Sequence, residues 1–107
     1  MRQVMFDAPL GDDVYGEDPS VNTLQTLAAE ITGKESALFV SSGTQSNLLA
    51  VLSQCERGDE YIAGQEAHTY RFEAGGAAVL GGIQPQPLPF NGRGELDLEQ
   101  VAETIKP

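Results

Sequence analysis

The run Ser41-Ser42-Gly43-Thr44 follows the apolar stretch Ala37-Leu38-Phe39-Val40 and leads into residues of helical periodicity. A buried strand, small hydroxyl residues, a glycine and a helix start form a physical recipe for holding an anion. The first N–H groups of a helix have no intrahelical partner, and the macrodipole is positive at that end. Gly43 admits a phosphate close to the backbone, and Ser42 and Thr44 add hydroxyl donors. Plain helix capping by Ser42 or Thr44 is the commoner use of such residues and stays open. No lysine follows the glycine as in a Walker A loop, and the turn lacks the GxGxxG of dinucleotide sites.

His68 is the one histidine of the chain. It falls in the connection after a second apolar run, Glu60–Ala63, that reads as a strand. In an open α/β sheet, ligands bind outside the carboxyl ends of the strands. The Ser41–Thr44 turn and the His68 segment both leave such ends, so they are expected to converge on one crevice. Phe72, one helical turn beyond His68, is a candidate wall of that pocket or else ordinary core.

Other reactive residue types point nowhere in particular. Asp12-Asp13 and Glu17-Asp18 lack the spacing of a calcium loop, so a solvated loop is expected and no metal site. Cys55 is the single cysteine, which excludes an internal disulfide, and it closes an apolar helix where packing explains it. Lys34 and Lys106 sit near helix ends, where cations suit the dipole, and neither is placed for Schiff-base work.

The elements that must position these groups follow from periodicity. Met1–Ala8 reads as a helix end stopped by Pro9, followed by the acidic loop Gly11–Pro19. Leu24, Leu27, Ala28 and Ile31 form the stripe of an amphipathic helix, with Ser20 or Asn22 as cap and Gly33 just past its end. Ala37–Val40 is a short continuous apolar run, so it is expected as a buried strand. Leu48, Leu49, Val51 and Leu52 mark the next helix, and Tyr70–Leu80 another, ended by Gly81-Gly82. Ile83–Phe90 holds three prolines, so an edge strand or extended segment is the most it can be. Asn91-Gly92 is a turn, and Asp97 with Gln100 opens a last helix along Leu98, Val101 and Ile105. This alternation predicts an α/β architecture with a largely parallel sheet.

Composition narrows the function classes. The 107 residues carry 16 acidic and six basic side chains, a formal charge of −10. Six scattered cations make no stripe for nucleic acid, and the charge disfavours anionic membrane surfaces. No apolar run reaches the ~18 residues of a membrane span, and no signal-peptide core opens the chain. A soluble, cytoplasmic chain is expected, with 40% hydrophobic residues to build a core.

The segments DDVYGEDP, SGTQSN and AHTYRFEAGGAAVLGG, in that order and spacing, resemble the low-specificity L-threonine aldolases. The likeness runs from about Gly11 to Pro107. It implies a pyridoxal-phosphate enzyme of fold type I, in which residues 1–107 are part of the large domain, a partial three-layer αβα sandwich. The reaction implied is cleavage of L-threonine or L-allo-threonine to glycine and acetaldehyde, by a homotetramer built as a dimer of dimers. Gly43 and Thr44 match the donors to the cofactor phosphate. His68 matches the histidine stacked on the pyridine ring, with a part in proton transfer. Phe72 falls where the family lines its substrate pocket, and Tyr15 matches an aromatic in a loop reaching the active-site region.

The resemblance also implies a piece lacking both ends. The family's opening Arg-Ser-Asp-Thr segment would precede Met1. Its cofactor-bonding lysine, its aspartate on the pyridine nitrogen and its arginine for the substrate carboxylate would follow Pro107. Such a piece is expected to expose apolar surface, associate, and be inactive alone. Two other readings stay open: another fold-type-I enzyme, such as a β-eliminating lyase or aminotransferase, and a non-catalytic α/β module for a phosphate-bearing ligand.

Overall fold

The computed structural model describes residues 1–107, which divide into two units, Met1–Ser41 and Ser42–Pro107. In the first, helix α1 (Arg2–Asp7) stops where expected: Ala8 is extended, the conformation that the following Pro9 imposes. A 3-10 turn, Asp13–Tyr15, ends on Gly16 in the left-handed region. Helix α2 (Pro19–Thr32) is capped by Asp18, not by Ser20 or Asn22. Pro19 explains the shift, because its fixed φ and missing N–H suit the first helical position. One Asp18 oxygen accepts from Ser20 N and Val21 N, and the other from Gly11 N, so a single carboxylate closes the whole loop. Gly33 ends α2 with φ 65°, as the sequence predicts.

Ala37–Val40 is not a strand. Its Phe39 N–H goes to Gln25 Oε1 of α2 at 2.8 Å, and Ala37, Leu38 and Phe39 line a groove with Leu24 and Ala28. The run is apolar because it lies along a helix; no neighbouring strand takes up its ladder groups.

In the second unit, Ser42 caps helix α3 (Gly43–Gln54) and accepts from Gln45 N. Strand β1 (Glu60–Gly64) pairs in parallel with β2 (Gln84–Leu88), Glu60 opposite Gln84 and Gly64 opposite Leu88. The proline-rich segment is thus a true strand of this two-stranded sheet. It tolerates Pro85 and Pro87 because ladder groups alternate in direction. Gln84 N donates to Asp59 O and Leu88 O accepts from Gln65 N, so the even residues serve β1 and the prolines face the open edge.

The crossover between them holds helix α4 (His68–Arg71) and a π-helical turn, Ala77–Gly81. The single helix expected over Tyr70–Leu80 is therefore broken. Ala74 and Gly75 take φ of 52° and 67°, left-handed values that no right-handed helix can pass through. Helix α5 (Leu98–Thr104) is capped by Asp97, as expected, after an Asn91 turn that brings Phe90 opposite Leu96.

The core is small. Ile83, 1% exposed, is the single buried hydrophobic side chain. Gly81 lies against it and against Leu52 of α3, so closely that a Cβ there would stand 2.6 Å from the Leu52 methyl. Large apolar residues such as Leu38, Val79 and Leu80 are exposed, in keeping with the apolar surface the sequence leads one to expect. No helix is long and apolar enough to cross a membrane.

Candidate functional site

Three features of the second unit meet through hydrogen bonds. The amino end of α3 carries Gly43 and Thr44. Ser42 satisfies two of the following amides, its side chain taking Gln45 N–H and its carbonyl Ser46 N–H. The capping role left open from the sequence therefore falls to Ser42. The Thr44 hydroxyl is engaged with no protein group. Gly43 has open space where a Cβ would stand, with no atom within 4 Å. Backbone N–H groups, a free hydroxyl and room above a glycine fit a phosphate group.

One turn further along α3, Asn47 Nδ2 donates to Glu73 Oε1 at 2.7 Å. The same oxygen lies 2.8 Å from His68 Nδ1. His68 opens α4 directly after β1 and the Gln65–Ala67 connection, at the carboxyl end of that strand. Tyr61 of β1 reaches α4 itself, its hydroxyl donating to Thr69 O at 3.4 Å. The Phe72 ring stands 5.6 Å from the His68 ring, tilted by 44°, and the Arg71 guanidinium lies over the Phe72 ring, 5.4 Å from its centroid. Arg71 in turn pairs with Glu66.

Exposure separates the roles. The His68 side chain is 61% exposed while that of Glu73 is 6% exposed. Burial pushes the Glu73 carboxyl up, but the hydrogen bonds from Asn47 and His68 and the His68 charge outweigh it. The group is held below the usual glutamate range. An ionised carboxylate is thus anchored under an open imidazole.

Gly43, Thr44, His68 and Phe72 all lie in the second unit, where the Asn47–Glu73–His68 hydrogen bonds tie α3 to α4. Phe72 is 63% exposed in this structure. Tyr15 is an exposed residue of the first unit. Only His68 follows a strand end; the Ser41–Thr44 turn does not, since Val40 ends no strand. Asn47 and Glu73 escape a reading of spacing, because they stand 26 residues apart on different elements. The Ala74-Gly75-Gly76 run was the available signal, marking a turn that swings Glu73 back. Lys106 pairs with Glu60 at the amino end of β1, the opposite end from His68.

An α/β unit results in which α3, capped by Ser42, is tied through Asn47 and Glu73 to His68 at the carboxyl end of β1. The family model described as Beta-eliminating lyase matches residues 1–107, and the chain belongs to that family. It is 63% identical over all 107 residues to the low specificity L-threonine aldolase of Escherichia coli (strain K12), of which it covers 32%. Over 107 residues it is 40% identical to low-specificity L-threonine aldolase 1 of Arabidopsis thaliana, with 99% of the chain and 30% of that protein aligned. It is also 35% identical over 95 residues to alanine racemase TOXG of Cochliobolus carbonum, with 87% of the chain and 24% of that protein aligned. The chain spans about a third of the length of the curated relatives it matches.

Proposed function

We propose that this chain supplies the phosphate-holding and ring-stacking part of a pyridoxal-phosphate lyase that cleaves β-hydroxy-α-amino acids to glycine and an aldehyde. The observation that carries it is the hydrogen-bonded path from His68 through Glu73 to Asn47, one turn from Gly43 and Thr44. When bound, pyridoxal phosphate supplies an electron sink for the broken Cα–Cβ bond. Gly43 and Thr44 hold its phosphate with backbone N–H groups and a hydroxyl, in the positive end of the α3 dipole. His68 presents an open ring for stacking and for proton transfer with substrate. Phe72 walls the substrate side, and Tyr15 contributes from its loop in the assembled oligomer. Lysine chemistry on the cofactor falls outside Lys34 and Lys106. The protein works in the cytoplasm as a homo-oligomer on a small amino acid, without metal, nucleic acid or membrane.

The names of the relatives favour aldol cleavage over other reactions of the family. A racemase reading has the likeness to alanine racemase TOXG of Cochliobolus carbonum behind it. Purified full-length protein with added pyridoxal phosphate is expected to release glycine and acetaldehyde from L-threonine and L-allo-threonine. Pyruvate with ammonia from serine, or interconversion of the alanine enantiomers, without glycine release from threonine would overturn the aldolase reading.

A further inference from the structure

The geometry points to Glu73 as a positioning residue for His68: its Oε1 is a strut between the His68 ring and Asn47 on α3. This rests on the reading of His68 as the cofactor-facing residue.

Four observations converge on it. One oxygen takes both bonds, 2.7 Å from Asn47 and 2.8 Å from His68. An ionised carboxylate only accepts, so His68 Nδ1 must carry a proton, and in the neutral ring Nε2 is the bare nitrogen. The strut is buried while the ring it holds is open, an arrangement that fixes orientation without blocking approach. Finally, the backbone takes a left-handed step at Ala74, a residue with no intrinsic preference for one, immediately after Glu73. That step costs free energy and returns nothing in apolar burial, since no side chain of this turn enters the Ile83 core.

The strut has two consequences. It fixes which imidazole nitrogen can take a proton from substrate. It also sets the spacing between the ring and the α3 amino end, so that a phosphate at Gly43–Thr44 and a ring against His68 are held in register. The charged groups nearby, Arg71 of α4 and Glu66 of the connection before it, pair with each other rather than with His68 or Glu73.

Imidazole nitrogen NMR on the neutral His68 ring of the full-length protein tests this directly. The wild-type protein is expected to show His68 protonated at Nδ1. A ring protonated at Nε2 instead would overturn the proposal without any variant. Glu73→Ala is expected to shift the ring toward the Nε2–H form and to weaken pyridoxal phosphate binding about tenfold or more. Glu73→Gln, whose amide oxygen still accepts, is expected to restore the Nδ1–H form and much of the affinity. An unchanged tautomer in Glu73→Ala, or no rescue by Glu73→Gln, would overturn the strut. If His68→Ala leaves the affinity for pyridoxal phosphate unchanged, the cofactor reading of His68 fails, while the tautomer result still decides the role of Glu73.

Discussion

Asn47 on α3 reaches Glu73 beyond α4 with a 2.7 Å hydrogen bond from its amide, spanning 26 residues of sequence. It is a side-chain tie between α3 and the turn that follows α4. Asn47→Ala removes the donor and leaves a buried carboxylate with one partner fewer. A loss of about 1–2 kcal/mol is expected, read from urea unfolding. An unchanged midpoint would mean that solvent satisfies Glu73 equally well.

Ala74 sits at φ 52°, where a Cβ crowds the following carbonyl. Ala74→Gly relieves that crowding, offset in part by the greater freedom of glycine in the unfolded chain. The variant is expected to be more stable by up to about 1 kcal/mol. A lower thermal midpoint would show that the turn does not hold this conformation in solution.

Gly64 ends β1 beneath the Phe90 ring, and a Cβ there would overlap the ring itself. Gly64→Ala must push Phe90 away and disturb its bridge to Leu96. A destabilisation of about 1–3 kcal/mol is expected in chemical unfolding. Gly43→Ala meets no such obstacle, with open space at its Cβ, so it is expected to leave stability nearly unchanged while weakening phosphate binding. Equal effects of the two substitutions on stability would contradict this packing.

Acid should unfold the protein through carboxylates that folding holds ionised. Hydrogen bonds from the backbone of Val21, Gly11 and Ser20 keep Asp18 below its ordinary range, against a smaller opposing effect of burial. The Lys106 hydrogen bond does the same for Glu60. A depressed folded-state pKa adds stability that is present above the unfolded value and is lost as pH falls through the folded one. The loss therefore begins near the ordinary carboxylate values of 3.8 and 4.5 and continues below them. Asp18→Asn is expected to flatten this acid limb, measured as thermal midpoint against pH, and a limb of unchanged slope would exclude Asp18 as its source.

Local chemistry determined a large share of this protein from sequence alone. Pro9, Gly33, Gly82 and Asp97 mark element ends because their effects act within a turn of backbone, whatever surrounds them. The same holds for the amino end of α3, where Ser42, Gly43 and Thr44 need only their own helix. The motif order likewise carried the family, since DDVYGEDP, SGTQSN and AHTYRFEAGGAAVLGG are long enough to be specific.

Tertiary structure decided which apolar run becomes a strand. Ala37–Val40 and Ile83–Phe90 differ in what lies beside them, and the less strand-like composition won, because β1 offers a parallel edge that the even residues alone can satisfy. It also decided the state of His68. A single histidine has no local rule for its tautomer or orientation. These come from Glu73 and Asn47, brought together by the break at Ala74 and the packing of α3, at a separation that no periodicity reports.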